Sequence, residues 1–252
     1  MSGVKILAHR CGKARGIENT LEGAQAALRD GADSLEVDVR LTGDGEPVLF
    51  HDDDAGRLTG RAGPVRGLSW ARLRELRVGG RCAIPHLDDL LSWLAARPSV
   101  ECFIDFHEDD ERLVEAVARR LEAARAWART FVLAFWTSGR LLRLAKKFDP
   151  RIRTAVMPQL PWRMAERCTA LGVSAACVGW DQRGFTRHLF QSACALADLP
   201  GEVGRTQAAG IPVSGGVANT PEQVEWLVAR GIRSIWSDDV VMARAAAEKA
   251  IS

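Results

Sequence analysis

The sequence predicts an α/β fold, a TIM (β/α)8 barrel with a small insertion after the second strand region. Three observations predict it. Short apolar runs alternate with helical stretches, and eight such alternations fit helices wrapped around one parallel sheet. A length of 252 residues suits one such barrel, so residues 1–252 are expected to form a single domain. Histidines and carboxylates fall at or just after the ends of the apolar runs, where a parallel barrel carries its reactive groups.

In chain order, Val4-Lys5-Ile6-Leu7-Ala8 reads as a buried strand. Asn19-Thr20-Leu21-Glu22 reads as a capping box with Asn19 as the cap, and Gly31 closes that helix. Leu35-Glu36-Val37-Asp38-Val39 alternates apolar and acidic residues, which puts both carboxylates on one strand face and the three apolar residues on the other. The turn Thr42-Gly43-Asp44-Gly45 leads to a further short apolar run, Pro47 to Phe50. Residues 53–83 are polar and rich in Arg and Gly, with one short helix near Trp70 to Leu76. They read as an excursion, either over the site or beside it.

Strands follow at Cys102 to Phe106, Phe131 to Trp136, Ile152 to Met157, Ala175 to Val178, Ile211 to Val213 and Ser234 to Trp236. Helices are expected at Leu87 to Ala96, Asp110 to Trp127, Gly139 to Phe148, Trp162 to Leu171 and Pro221 to Ala229. The last is the best signalled, with Thr220 as cap, Pro221 in the first turn, Val224, Leu227 and Val228 on one face, and Gly231 at the end.

Composition excludes several classes. A net charge of +2, from 34 basic and 32 acidic residues, provides no field for nucleic acid or an anionic membrane. No apolar run reaches the ~18 residues needed to span a bilayer, so no stable membrane insertion is expected. Six cysteines without a C-x-x-C pair argue against structural zinc and for reduced thiols. Met1 to Lys5 runs straight into a strand with no leader pattern, and a cytoplasmic location is expected.

The chemistry follows from the residues at the strand ends. Glu36 and Asp38 on one face would repel each other unless a cation lay between them. Oxygen-only ligation suits Mg²⁺ or Ca²⁺ rather than zinc, and Asp105 could complete the set. Arg10 could grip a phosphate with two prongs. His9 and His51 ordinarily titrate near neutrality, which suits one as base and the other as acid. These groups point to metal-assisted cleavage of a small phosphodiester.

The chain resembles the glycerophosphodiester phosphodiesterase family, among the phosphatidylinositol phospholipase C-like TIM-barrel phosphodiesterases. The resemblance rests on His9-Arg10-Cys11-Gly12, Glu18-Asn19-Thr20, Gly31 to Val39, Thr42-Gly43-Asp44-Gly45, His51-Asp52 and Leu58-Thr59-Gly60. Ile84-Pro85-His86-Leu87, Val217-Ala218-Asn219 and Trp236-Ser237-Asp238-Asp239 continue it to the C-terminus. It implies hydrolysis of glycerophosphodiesters to sn-glycerol 3-phosphate and an alcohol. It also implies a divalent cation on Glu36, Asp38 and a third carboxylate, His9 and His51 as the acid/base pair, and Arg10 on the phosphate. His107 and Asn219 are expected as further substrate contacts, and Glu18 is expected to orient the first loop.

The sequence departs from that family's pattern in three places. Asp105-Phe106-His107 stands where Glu-x-Lys is usual, which shortens one carboxylate and replaces a permanent cation with a titrating one. The shorter carboxylate is similar to that of the spider-venom sphingomyelinase D-like branch. Ser214-Gly215-Gly216 stands where a tryptophan usually walls the substrate, so the glycines are expected to widen the mouth. Trp136 and Trp180 could supply an aromatic surface or simply pack in the core. Two other readings stay open: a phosphodiesterase for another head group, such as a sugar phosphodiester or lysophospholipid, and a catalytically impaired phosphate-binding barrel.

Overall fold

A computed structural model describes residues 3–158, 160–180 and 184–251, without the side chains of 184 and 185. Met1 and Ser2, used in the leader reading, lie outside the described residues. Eight parallel strands close on themselves in the order β1 (Lys5–Ala8), β2 (Ser34–Leu41), β6 (Glu101–Phe106), β7 (Thr130–Phe135), β8 (Arg153–Met157), β9 (Ala175–Gly179), β10 (Val213–Gly216) and β11 (Ser234–Ser237). The pairing of β1 with both β11 and β2 completes the ring. This is the TIM barrel.

The run Pro47 to Phe50 is not a barrel stave. Strand β2 overshoots the barrel, and its last residues pair antiparallel with β3 (Pro47–Leu49), Val39 facing Leu49. Residues 53–83 then leave the barrel as short pieces: α2 (Gly56–Thr59), α3 (Trp70–Leu73) and the two-residue strands β4 (Arg77–Val78) and β5 (Cys82–Ala83). Phe50, Leu58, Leu73 and Ile84 give this excursion a small core of its own. It lies beside the barrel mouth rather than over it: none of its residues lines the cavity that holds His9, Glu36 and Asp38, and none of the large exposed apolar side chains belongs to it.

The alternation in β2 sorts side chains as expected. Leu35, Val37 and Val39 enter the layer between strands and helices, with Leu87, Leu90 and Leu94 of α4 (Leu87–Ala95). Inside the barrel a smaller cluster fills the floor. Phe103 stacks on Phe131 at 4.4 Å and meets Trp236 edge-on at 5.0 Å. Glu36 is level with Phe103 and Asp38 with Asp105, so both acids of β2 stand in or just above this apolar floor.

Several boundaries differ from the sequence expectation. Helix α1 (Leu21–Arg29) is capped by Thr20, whose side chain accepts from Gly23 N at 3.0 Å. Asn19 is engaged elsewhere, as shown below. Strand β10 begins at Val213, so the run Ile211 to Val213 is its lead-in. Helix α5 (Glu111–Ala123) starts one residue later and stops four residues earlier than expected, Asp110 being its cap. Helices α6 (Gly139–Phe148), α7 (Met164–Leu171) and α10 (Pro221–Val228) stand close to expectation. Helices α8 (Gly184–Leu196), α9 (Leu199–Ala208) and α11 (Val240–Ile251) had no counterpart in the sequence reading. Among the described residues, no helix is long and apolar enough to cross a membrane.

Candidate active site

The loop after β1 is bent back on itself. Arg10 and Cys11 both take positive φ, 52° and 36°, a conformation that costs L-residues about 1–2 kcal/mol each. Tertiary hydrogen bonds hold it. Arg10 N donates to Glu36 Oε2 at 2.7 Å, Asn19 N donates to Arg10 O at 2.7 Å, and Cys11 Sγ reaches Glu36 O at 3.1 Å. This turn sets the Arg10 side chain over the carboxylates, with Nη1 3.5 Å from Glu18 Oε1 and Nε 3.6 Å from Asp38 Oδ2. Its Nε is buried without a hydrogen-bond acceptor.

Glu36, Asp38 and Asp105 are buried together, each offering an oxygen within 4.8 Å of the others. Burial and the charges of Asp38 and Asp105 raise the Glu36 carboxyl above its ordinary range. Burial also raises Asp105, and the Asp38 charge adds to this. Asp38 moves the other way: burial opposes its charge, but His107 and Arg10, and His51 and His9 where they are protonated, outweigh it. Asn19 completes the surroundings of Asp38, its Nδ2 donating to Oδ2 at 2.7 Å while its Oδ1 accepts from Asp38 N at 3.0 Å. That use of Asn19 is why the cap falls to Thr20.

Each candidate acid/base histidine is held by a carboxylate. His9 Nδ1 lies 2.6 Å from Asp238 Oδ1, and His51 Nδ1 lies 2.6 Å from Asp52 Oδ1. A carboxylate can only accept, so both Nδ1 atoms carry a proton, and in each ring Nε2 is the atom left to take or give one. His9 Nε2 is 4.0 Å from Glu36 Oε2. Burial lowers the pKa of His51 despite the Asp38 and Asp52 carboxylates, favouring its neutral form.

The partners are themselves fixed. Asp238 Oδ2 accepts from Asn219 Nδ2 at 2.7 Å and lies 3.1 Å from Lys13 Nζ. Burial opposes the Asp238 charge, but His9 and Lys13 hold its carboxyl well below the usual carboxylate range. Arg57, from α2 in the excursion, spans the other side. It binds both oxygens of Asp52, Nε to Oδ2 at 2.5 Å and Nη2 to Oδ1 at 2.9 Å, and both oxygens of Glu18 at 2.6 and 3.1 Å. Against the cost of burial, the bonds from Arg57 and His51 pull Asp52 down to about 2. Arg40 Nε donates to His51 O at 2.6 Å and so anchors that residue's backbone to β2.

His107 stands between two acids, its Nδ1 3.3 Å from Asp38 and 3.7 Å from Asp105, with its ring centroid 4.0 Å from that of His51. Burial disfavours its charge, but the Asp105 and Asp38 carboxylates outweigh this and raise its pKa. Asn219 is not among the residues that line the cavity. Its Oδ1 accepts from Asp238 N at 2.9 Å and from Ser237 Oγ at 3.3 Å, so the structure places it behind Asp238. Asp52, Asp238, Lys13 and Arg57 had no assigned role in the sequence reading. Asp52 and Asp238 lay within quoted motifs, whereas Arg57 carries no local signal.

A cavity of about 390 Å³ opens above this floor, lined on one side by His9, Arg10, Glu36, Asp38, Asp105 and His107. The glycines of β10 do not widen it. A Cβ on Gly215 would point at Leu227 and Ile232 at 3.0 Å, in the helix layer. A Cβ on Gly216 would meet Trp236 at 2.6–2.8 Å, and one on Gly179 would strike Gly216 O at 1.6 Å. The glycines allow strand ends to touch, and aromatic surface is supplied from elsewhere. Trp180 and Trp236 both line the cavity, the Trp236 indole N donating to Ser214 Oγ at 2.7 Å. Trp136 packs against the core instead, its ring covered by Arg167 at 3.8 Å.

A parallel barrel with buried acids, an arginine and two carboxylate-held histidines at its strand ends has the build of a barrel enzyme site. The chain matches the glycerophosphoryl diester phosphodiesterase family over residues 9–242, and it belongs to that family. It is 31% identical over 163 residues to a glycerophosphodiester phosphodiesterase of Bacillus altitudinis, covering 61% of this chain and 66% of that protein. It is 38% identical over 73 residues to glycerophosphodiester phosphodiesterase 1 of Rattus norvegicus, covering 29% of this chain and 22% of that one. The chain therefore spans less than two thirds of the length of either relative.

Solved structures share the fold. A glycerophosphodiester phosphodiesterase from Agrobacterium tumefaciens superposes with a TM-score of 0.77 at 21% identity, covering 96% of this chain and 99% of that one. An Oleispira antarctica phosphodiesterase, solved with the product sn-glycerol-3-phosphate, superposes with a TM-score of 0.80 at 22% identity, covering 98% and 97%.

Proposed function

We propose that the chain hydrolyses glycerophosphodiesters to sn-glycerol 3-phosphate and an alcohol, with a divalent cation bound at Glu36, Asp38 and Asp105. One observation carries the reading: two histidines, each oriented by its own carboxylate, beside three buried acids and an arginine whose Nε makes no hydrogen bond. Family membership supports it, as does the product held by the Oleispira antarctica relative.

The three acids fit a hard cation. They are oxygen donors in mutual reach, and Asp105 Oδ1 is buried without a hydrogen-bond partner. When bound, such an ion would polarise a phosphoryl oxygen as a Lewis acid. Arg10, with His107 where it is charged, binds the phosphate. His51, kept neutral by burial, receives the proton of a neighbouring substrate hydroxyl as that oxygen bonds to phosphorus. His9, entering this step protonated on both ring nitrogens, gives its Nε2 proton to the alcohol oxygen as the phosphorus–oxygen bond to it breaks, and keeps the Nδ1 proton on Asp238. Water then opens the cyclic phosphate, with His9 as base and His51 as acid. Asp238 and Asp52 hold the two rings in the required tautomer.

We further assign residues 1–252 to one domain, to which the excursion is tied by Arg57 and by Arg66, whose Nη2 binds Glu108 at 2.9 Å. The buried thiols, none of them paired, suit a reducing cytoplasm. The test is alcohol and phosphomonoester release from glycerophosphodiesters, lysophospholipids and sugar phosphodiesters, with Mg²⁺, Ca²⁺ or chelator. Turnover of the first class that stops with chelator is expected. Turnover that survives chelation would remove the cation. Binding of phosphate esters without turnover of any diester would favour an impaired barrel.

A further inference from the structure

The cavity has two unlike halves. One side, from His9 and Arg10 to Asp105 and His107, is charged. The facing side is a continuous apolar wall made by Leu133 and Phe135 of β7, Met157 of β8, Leu160, Trp180 and Leu189 of α8. Trp180 is held in place by Phe190 at 5.9 Å and Trp226 at 6.0 Å. Phe135, Leu160 and Leu189 remain 40%, 42% and 62% exposed, so apolar surface continues from the cavity to solvent. Large apolar side chains grouped at the rim of a ligand site are a recognition feature rather than ordinary surface. The wall carries no acidic, basic or amide side chain among the described residues. A choline, ethanolamine or glycerol arm would leave it facing water. A hydrocarbon chain would cover it.

We infer that the site takes a single-chain amphiphile, a phosphodiester whose phosphate sits on the charged side while one aliphatic chain runs along Leu133, Met157 and Trp180 to Phe135, Leu160 and Leu189. This rests on the phosphodiesterase reading and specifies its substrate class. A volume of about 390 Å³ lies near the low end for small-molecule sites, enough for a head group and the start of one chain. The chain can belong to the glycerol side or to the departing alcohol, since both place hydrocarbon next to the phosphate.

The test has a binding arm and a turnover arm. Butyl, hexyl and octyl phosphate are titrated calorimetrically into the protein with Mg²⁺, below their micelle concentrations. Affinity is expected to rise about two- to fourfold per methylene, the gain for burying hydrocarbon. Phe135→Asp and Leu189→Asp, at exposed positions, should flatten that slope, with thermal denaturation confirming that they fold. In the turnover arm, acyl-glycerol and alkyl-alcohol diesters are each compared with glycerophosphoethanolamine. At least a tenfold higher kcat/KM for one of them is expected, and it identifies which side carries the chain. Equal affinity for butyl and octyl phosphate, or a slope unchanged in both variants, overturns the inference. Cleavage of polar diesters without any slope leaves the phosphodiesterase reading standing alone. A clear slope without cleavage of any diester supports the apolar subsite while removing that reading.

Discussion

Replacing Asp238 by Asn isolates what orients His9. The two side chains have nearly the same shape, so the outcome depends on which end of the amide faces which neighbour. Asp238 Oδ2 lies 2.7 Å from Asn219 Nδ2 and 3.1 Å from Lys13 Nζ, both donors, whereas Oδ1 meets one ring nitrogen at 2.6 Å. An amide NH₂ turned toward the two donors would leave clashing, unsatisfied groups, at roughly 1–3 kcal/mol for each. The NH₂ therefore turns to His9, whose Nδ1 must then accept. The proton moves to Nε2, and the ring can no longer act there as a base. The expected loss in kcat/KM is about 10²–10⁴-fold, on the order of 3–5 kcal/mol of transition-state stabilisation. The assay pairs kcat/KM on a glycerophosphodiester with ¹⁵N shifts of the His9 ring, which report the tautomer directly. Wild-type kcat/KM would refute the reasoning. So would a variant whose His9 keeps its proton on Nδ1.

Burial lowers the His51 pKa, so as a base it stays competent below the ordinary imidazole value, and the acid limb of kcat/KM should lie under 6.5; a limb above 6.5 counts against His51 as the base. In chelator, Glu36 and Asp105 have raised carboxyl pKa values, so stability is gained as pH falls from neutral through those values. Asp105→Asn should accordingly stabilise the cation-free protein by roughly 1–3 kcal/mol and shrink the rise in Tm given by Mg²⁺ or Ca²⁺, and a variant with an undiminished metal-induced rise removes Asp105 from the ligand set. Arg57→Ala leaves the buried Glu18 with Arg10 at 3.5 Å as its remaining ion pair and frees Asp52; with Arg57 about half exposed, the cost is discounted to ~1–2 kcal/mol, or about 2–8 °C in Tm. An unchanged melting curve would show that this bridge is solvated away.

The legible parts of this chain are those whose cause is local. Period two in Leu35 to Val39 decides which side chains face inward, because a strand has only two faces. The helix after Thr220 carries its cap, its Pro and its terminating glycine within a dozen residues, and it forms as expected. Where a distant group competes, local reading fails. Asn19 and Thr20 are both good caps, and Asp38, 19 residues on, decides between them by taking Asn19. Gly215 and Gly216 read as open space when only the missing side chains are considered. Their purpose is visible only against Gly179 and Trp236 in neighbouring strands. Helix α9 escaped notice because Pro200, Gly201 and Gly204 weaken its pattern, and tertiary packing overrides such propensities. The candidate site followed the same division. His9, Arg10, Glu36, Asp38, His51, Asp105 and His107 gather at one end of the barrel, whereas Arg57 joins Glu18 and Asp52 across a separation that no motif marks.

His9 leaves the first strand of the barrel and Asp238 follows the last, a separation of 229 residues bridged by one hydrogen bond. A chain emerging from the ribosome therefore carries His9 unoriented until Asp238 has been made. Docking of β11 against β1 both closes the sheet and sets the ring, so ring closure and functional maturation are a single event. A product truncated before residue 238 could retain much of its secondary structure and still lack the oriented His9. A chain that stops short of residue 238 would then lack one half of the acid/base pair on which the proposed chemistry depends.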